Sequence, residues 1–351
     1  DFSKKRQRTS GTTSGTTSDP LENIVTPYKR GDRADSEENK ALKKENADLK
    51  NDNADLREQL AALQQNLRQP TSPNPRKPKS SNAFTNETLP TAVNLWFSER
   101  ASAMRKYGPI STWDVSEVTD MSKLFKDKTF EEVDNGSLSS WNVGRVTNMT
   151  EMFSGTQNFF GGDVETWDVK SVTHMSAMFL GSPYFNADLS KWKVKNVKRM
   201  DMMFASAVMF EGRFSFEGWD VSNIKATRSK ANGQVYGGMD GMFKKAYSFN
   251  GDVSGFKFTT EQLSMAGMFD GASRFNGDIG SWNVTNVTDM KLMFHKASSF
   301  SQDLSDWNVK NVTNMRFMFD GATSFDNNNI EAIKNWDTSG ILSNNHHNHR
   351  N

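Results

Sequence analysis

Nine aromatic residues punctuate this chain at near-equal intervals. They are Trp113, Trp141, Trp167, Trp192, Trp219, Phe256, Trp282, Trp307 and Trp336, spaced by 28, 26, 25, 27, 37, 26, 25 and 29 residues. One copy of the unit, from Trp282, reads WNVTNVTDMKLMFHKASSFSQDLSD, and the next, from Trp307, reads WNVKNVTNMRFMFDGATSFDNNN. The consensus is W-(D/N)-V-x-x-V-T-x-M-x-x-M-F-x-x-A-x-x-F-x-x-D-(L/I/V), and eight copies cover residues 113–335. It accounts for an odd composition, because fifteen of the 18 Met fall on its two Met positions. A unit of about 25 residues cannot bury its own apolar face, whereas stacked units can. The repeat therefore predicts a solenoid over residues 113–338, with Trp, Met and Phe rows as its core. Its anchors are Trp141, Trp167, Trp192, Trp282 and Trp307, together with Met290, Met293 and Phe294 of the clearest copy.

Within a unit two local patterns stand out. In Val-Thr-x-Met-x-x-Met-Phe the apolar residues are three and four apart, which predicts one or two helical turns with Thr119, Thr147, Thr173, Thr288 and Thr313 as N-caps. Asp-Leu-x-x-Trp-x-Val alternates, which predicts a short strand, parallel to its neighbours in the stack. Ahead of the repeats, residues 88–112 read as a capping helix and lead-in. Pro90 sits near a first helical position, Val93, Trp96, Phe97, Ala101 and Met104 share one face, and Gly108 ends the run.

The consensus resembles the BspA-like leucine-rich repeat of surface proteins, and the segment from Ala92 to Ile110 resembles the lead-in that precedes such repeats. The resemblance implies a leucine-rich-repeat-like solenoid, extracellular or surface-anchored, with a binding or adhesive role and no assigned activity.

The remaining chain divides by composition. Residues 1–36 combine a Ser/Thr/Gly run with the basic cluster Lys4-Lys5-Arg6-Gln7-Arg8, and read as a disordered tail. Residues 37–68 carry a heptad with Leu42, Leu49, Leu56 and Leu63 at d and Asn39, Asn46 and Asn53 at a. Leu at d with Asn at a predicts a weak parallel homodimer, and Glu45 facing Lys50 and Asp52 facing Arg57 support it. The acidic residues before this heptad argue against a basic-zipper reading of DNA. Residues 69–87 are a Pro- and Ser-rich linker, and residues 339–351 a second disordered tail.

Charge and composition narrow the function further. Net charge is +1, from 43 Lys+Arg against 42 Asp+Glu, so a globally basic nucleic-acid binder is disfavoured. With no Cys there is no disulfide, thiolate zinc site or Cys nucleophile. No apolar run is long enough to span a bilayer. The chain opens at Asp1, so an upstream signal peptide or anchor is left open.

Four features depart from the repeat. The fifth unit carries a polar insertion, residues 225–238, with Lys225, Arg228, Lys230 and Tyr236 as partner-binding candidates. Asp163, Asp188, Asp252, Asp278 and Asp303 share one repeat position, where they either accept backbone N–H bonds or share calcium. Asn86, Asn148, Asn283, Asn286 and Asn311 begin N-x-(S/T) sequons. His346, His347 and His349 cluster in the tail, while His174 and His295 read as surface variants of repeat positions. No catalytic set or cofactor motif stands outside the repeat.

The reading is a non-enzymatic binding or adhesion module at a cell surface or secreted, recognising protein or glycan through the exposed solenoid face. The alternative is an intracellular scaffold, dimerised by the coiled coil, with Lys4–Arg8 as a localisation signal.

Overall fold

The apolar spacing ahead of the repeats does form helix, in two pieces. A computed structural model describes residues 83–341 apart from 214–215, 217, 229–234, 259–260 and 326, all within the compact unit Lys79–Asn351. The expected basic tail, zipper seam, most of the linker and the His cluster lie outside the described residues. Helix α1 (Thr88–Ser98) buries Leu89, Ala92, Val93 and Trp96, spaced along one face. The backbone leaves helical geometry at Glu99 (φ −143°, ψ 65°), and α2 (Arg100–Tyr107) follows. The single helical face expected through Met104 is therefore split: α2 buries Ala103 and leaves Met104 43% exposed. Gly108 (φ +74°) closes α2.

The helices seat on the first repeat. Phe97 packs on the rings of Phe125 and Phe130 at 5.9 and 5.2 Å. Trp96 donates its indole N–H to Asp134 at 2.9 Å, and Arg100 donates to the same buried carboxylate at 2.6 Å. Asn86 Oδ1 accepts the N–H groups of Thr119 (2.9 Å) and Asp120 (3.2 Å). In the next unit the corresponding Thr147 and Asn148 N–H groups bond the Thr119 carbonyl. The Asn86 amide thus stands in for a repeat that precedes the first.

The Met-x-x-Met-Phe segment differs from the helical expectation. It forms an arm of successive four-residue turns, such as Leu124 N to Met121 O, Lys126 N to Lys123 O and Lys128 N to Phe125 O. Two residues per arm have positive φ, the value a type II turn needs at its third position. They are Lys123 and Asp127, Glu151 and Gly155, Ala177 and Gly181, Met202 and Ser206, Gly241 and Lys245, Gly267 and Gly271, Leu292 and Lys296, Phe317 and Gly321. This alternation turns every second N–H out of the arm toward the next unit. At one junction Met175 N bonds Arg199 O (3.0 Å), Ala177 N Asp201 O (2.7 Å), Phe179 N Met203 O (2.9 Å) and Gly181 N Ala205 O (2.7 Å). At least three of these four bonds recur at every junction between arms.

Parallel pairing also lies elsewhere than expected. Among the described residues it falls mainly on Thr-x-Met, not on Asp-Leu-x-x-Trp: Asp120 pairs Asn148, Asn148 pairs His174 and His174 pairs Arg199, with one further bridge between Thr129 and Gln157. Further on, β3 (Leu263–Ser264) pairs β4 (Val287–Asp289), also parallel. The repeat Thr is no N-cap. Thr147, Thr173 and Thr313 donate their hydroxyls to the Thr carbonyl one unit back, at 3.0–3.1 Å. The cap is the following Asp or Asn: Asp120, Asn148, Asp289 and Asn314 each accept the N–H two residues on.

Behind the arms the aromatic rows fill the core. Phe125, Phe153, Phe179, Phe204, Phe243, Phe269, Phe294 and Phe319 stack with centroids 5.2–5.7 Å apart and planes within 5–12°. Trp141, Trp167, Trp192, Trp282 and Trp307 are at most 4% exposed, and Met290, Met293 and Phe294 are fully buried. Each indole N–H also has an acceptor one unit back. Trp192 bonds Val164 O at 2.9 Å, Trp282 bonds Val253 O at 3.0 Å and Trp307 bonds Ile279 O at 3.0 Å. Trp satisfies both needs at once, apolar area and a satisfied donor. After the last arm come the short helix α3 (Asn327–Ala332) and Trp336, which stacks on Trp307 at 6.3 Å.

Two sets of substitutions test this arrangement. Trp192→Phe keeps most of the area and loses the Val164 bond, at a cost of about 1 kcal/mol. Trp192→Ala opens a cavity and costs about 3–5 kcal/mol, both read by urea unfolding. Ser206→Gly relieves a left-handed residue and raises stability by about 1 kcal/mol, whereas Gly271→Ala lowers it by a similar amount. A helical arm would reverse both signs, because Ala outranks Gly in a helix.

Candidate binding surface

The insertion leaves the ladder at one point and rejoins it at another. Lys225 N bonds Lys198 O at 2.9 Å, and Met200 N bonds Gly238 O at 2.9 Å, so the arms before and after the insertion stay paired. Between these points β1 (Thr227–Arg228) pairs antiparallel with β2 (Val235–Tyr236), placing Thr227 opposite Tyr236 and Arg228 opposite Val235. The backbone thus brings two candidates, Arg228 and Tyr236, onto one hairpin, with Lys225 just before it; the fourth, Lys230, lies outside the described residues. Lys225 Nζ is 2.5 Å from Glu261 Oε1, an exposed pair of small energetic weight.

A polar cluster anchors the base of the hairpin. Arg199 donates to Thr227 Oγ1 (2.9 Å) and to Asp201 Oδ2 (2.7 Å). Asp240 accepts from Gly237 N (2.7 Å), Ser264 Oγ (2.5 Å) and Ala266 N (3.0 Å). Burial raises the Asp240 pKa, and the nearby Asp201 charge adds to the rise. Gly237 and Gly238 have φ of +76° and +96°. A Cβ on Gly238 would come within 2.7 Å of Leu263 Cδ1, so the chain re-enters the stack where no side chain fits.

A second surface was not singled out in the sequence. Phe160, Tyr184, Val208, Met209 and Tyr247 are 55%, 42%, 36%, 50% and 45% exposed. They belong to four successive units, and all but Phe160 occupy the two variable positions of A-x-x-F or its equivalent. Met209 N bonds Pro183 O and Ser248 N bonds Val208 O, which sets these segments side by side. The Phe160 and Tyr184 rings meet edge-on at 6.3 Å. Later units carry Ser273 and Arg274, Ser298 and Ser299, then Thr323 and Ser324 at those positions. The available signal was this switch from apolar to polar along one repeat column.

The aspartate row takes the turn-forming role. Asp188, Asp252, Asp278 and Asp303 each accept the N–H two residues on, at 2.9–3.1 Å. Asp163 instead accepts Gly136 N and Leu138 N from the unit before, and burial raises its pKa. Among the described residues no group of three His, Asp or Glu is placed to hold a metal ion. The sequon asparagines are engaged as well. Asn86 Nδ2 donates to Thr119 Oγ1, Asn148 Nδ2 to Asp120 Oδ2 and Asn311 Nδ2 to Thr285 O.

Comparison with protein families gives four overlapping matches to one family, described as Mycoplasma protein of unknown function, DUF285. The matches are residues 91–159, 128–235, 228–262 and 237–349. The chain belongs to this family. The overlap of the matches fits a repeat whose units succeed one another, and the DUF285 description carries no activity. No curated protein and no solved structure matches the chain.

One column of this DUF285 chain joins charged and titratable side chains of successive units. Lys244, Asp270, His295 and Asp320 each follow the Phe of their arm. His295 Nδ1 lies 2.7 Å from Asp270 Oδ1, its Nε2 lies 3.6 Å from Asp320 Oδ2, and Lys244 Nζ lies 2.9 Å from Asp270 Oδ2. His295 is thus a half-buried bridge between units, not the plain surface variant expected. Burial works against the Asp270 carboxylate, but hydrogen bonds and charge from His295 and Lys244 outweigh it and hold its pKa below the ordinary 3.8. A depressed folded pKa gives stability that is present above the unfolded value and lost as pH falls through the folded one. Asp270→Asn is therefore less stable than wild type at pH 7, and the gap narrows as pH falls below 3.8. Urea midpoints for both proteins between pH 7 and pH 3 check this.

Proposed function

We propose that this chain is a non-enzymatic binding module, a leucine-rich-repeat-like solenoid of the BspA-like kind that recognises protein or glycan at a cell surface. The observation that carries the reading is the exposed apolar stripe of Phe160, Tyr184, Val208, Met209 and Tyr247. Core positions of the same units are filled by Trp, Met and Phe, so this apolar area is surplus to folding. Exposed aromatic and apolar side chains in one patch are what a protein or sugar partner buries on binding. The hairpin at residues 225–238 adds Lys225, Arg228 and Tyr236 from the fifth unit. The polar groups that are placed support a binding role over catalysis, because the turn carboxylates and indoles are engaged in backbone hydrogen bonds. A homodimer through residues 37–68 would present two such modules and raise avidity.

Surface protease shaving of intact cells, with lysed cells as control, tests the compartment. Loss of the repeats from intact cells is the expected result; survival until lysis contradicts the surface reading and favours the intracellular scaffold. Binding of fluorescently labelled protein to the same cells tests the stripe. Tyr184→Ala with Tyr247→Ala weakens it at least tenfold while leaving the thermal midpoint within about 2 °C, because both side chains lie outside the core. Unchanged binding contradicts the stripe as the contact surface.

A further inference from the structure

The hydrogen-bond ladder has a direction, and its last rung has no acceptor among the described residues. Each arm gives the N–H groups of its first Met, its first positive-φ residue, its Phe and its second positive-φ residue to the arm that follows. At the final junction these are Met290 N to Asn314 O (2.9 Å), Leu292 N to Arg316 O (2.9 Å), Phe294 N to Met318 O (2.9 Å) and Lys296 N to Asp320 O (2.7 Å). The equivalent N–H groups of the last arm belong to Met315, Phe317, Phe319 and Gly321. Among the described residues they have no acceptor. The apolar row is less covered at this end, where Trp336 packs against Phe319 at 6.5 Å. Met290 and Phe294 are fully buried, whereas Met315 and Phe319 are partly exposed and Phe317 is 41% exposed. The other end is closed. There Asn86 and Phe97 of α1 cover the first arm, and Met121 and Phe125 are 1% and 0% exposed.

We propose that the last arm, residues 314–321, is a docking edge for an extended segment of another polypeptide that carries the repeat's own Thr-x-Met-x-x-Met-Phe spacing. The occupant's chemistry follows from the junctions inside the fold. It must present carbonyls at alternating residues to the four N–H groups, and a Met/Phe row to Met315, Met318 and Phe319. Addition of a strand-like segment to an open backbone edge is an established mode of peptide recognition, and an unpaired edge is a template for it. Two copies cannot pair symmetrically through this edge, because each would offer only donors. A second copy's complementary first arm lies at the end that Asn86 and α1 cover. The chain's own sequence beyond Trp336 does not supply the apolar row. Aligned on that Trp, the Met, Met and Phe positions of a ninth arm are Asn344, His347 and Asn348.

The probe is a synthetic peptide of residues 286–297, NVTDMKLMFHKA, added to the full chain, with amide hydrogen exchange read by NMR. A control peptide carries Ser at the positions of Met290, Met293 and Phe294. The expected result is saturable slowing, at least tenfold, at Met315, Phe317, Phe319 and Gly321, with the control peptide inert. No change at these four amides, or an equal effect from the control peptide, overturns the proposal. Protection already present in the free chain also overturns it. If that protection grows with protein concentration the occupant is a second copy. If it vanishes on truncation after Ile341 the occupant is residues 342–351.

Discussion

Everything in this fold depends on one constraint, the alternation of backbone hand within each arm. Two positive-φ residues per arm, such as Ala177 and Gly181, aim the N–H groups of alternate residues at the next unit. The intervening N–H groups close short turns inside the arm, as Met178 does on Met175 O. At the junctions between arms most backbone donors are thereby paired, so an arm of about eight residues can be buried on its Met/Phe side with few orphaned polar groups. The cost is left-handed conformation at residues with side chains, including Lys123, Glu151, Leu292 and Phe317. The pairing of units repays it, since each arm between the first and the last is held by a neighbour on both sides.

The ladder explains why the core residues are what they are. It sets successive Phe rings in near-parallel stacks, with a second Phe per unit close against the first, as Phe179 and Phe185 are at 3.8 Å. Trp occupies the third row because its indole N–H reaches back to a carbonyl of the preceding unit. Phe256, the one substitute, keeps the stack on Trp282 at 6.2 Å but has no N–H to give. The ladder also explains which positions are free to vary. The variable positions between an arm and the next Trp, such as Tyr184, Met209 and Tyr247, are exposed, and there the apolar stripe is carried at no expense to the core.

Much of this was legible in the residues, and the exceptions share a cause. The Trp period, the Met and Phe anchors and the point where the chain leaves the ladder after Lys225 follow from counting, because burial of large side chains is a property of spacing. The conformation of the arm did not follow. Spacings of three and four suit a helix, and they equally suit a run of turns that places Met121, Leu124 and Phe125 on one side. The distinguishing signal was the glycine at Gly155, Gly181, Gly271 and Gly321, always two residues after the arm's Phe. Its recurrence at one repeat position speaks for positive φ there. The apolar stripe was hidden for a different reason. Phe160, Tyr184 and Tyr247 look like core residues in composition, and only their place in the variable columns exposes them. The Asn86 cap was read as a sequon start, because a side-chain amide imitating a carbonyl has no sequence signature.

Through-hydrogen-bond scalar coupling on the isotope-labelled chain tests the inter-unit ladder most directly. The account predicts couplings from the Phe179 N–H to the Met203 carbonyl and from the Gly181 N–H to the Ala205 carbonyl, across units. Couplings from these N–H groups to the carbonyls four residues earlier, Met175 and Ala177, would contradict it, since they would make the arm a helix.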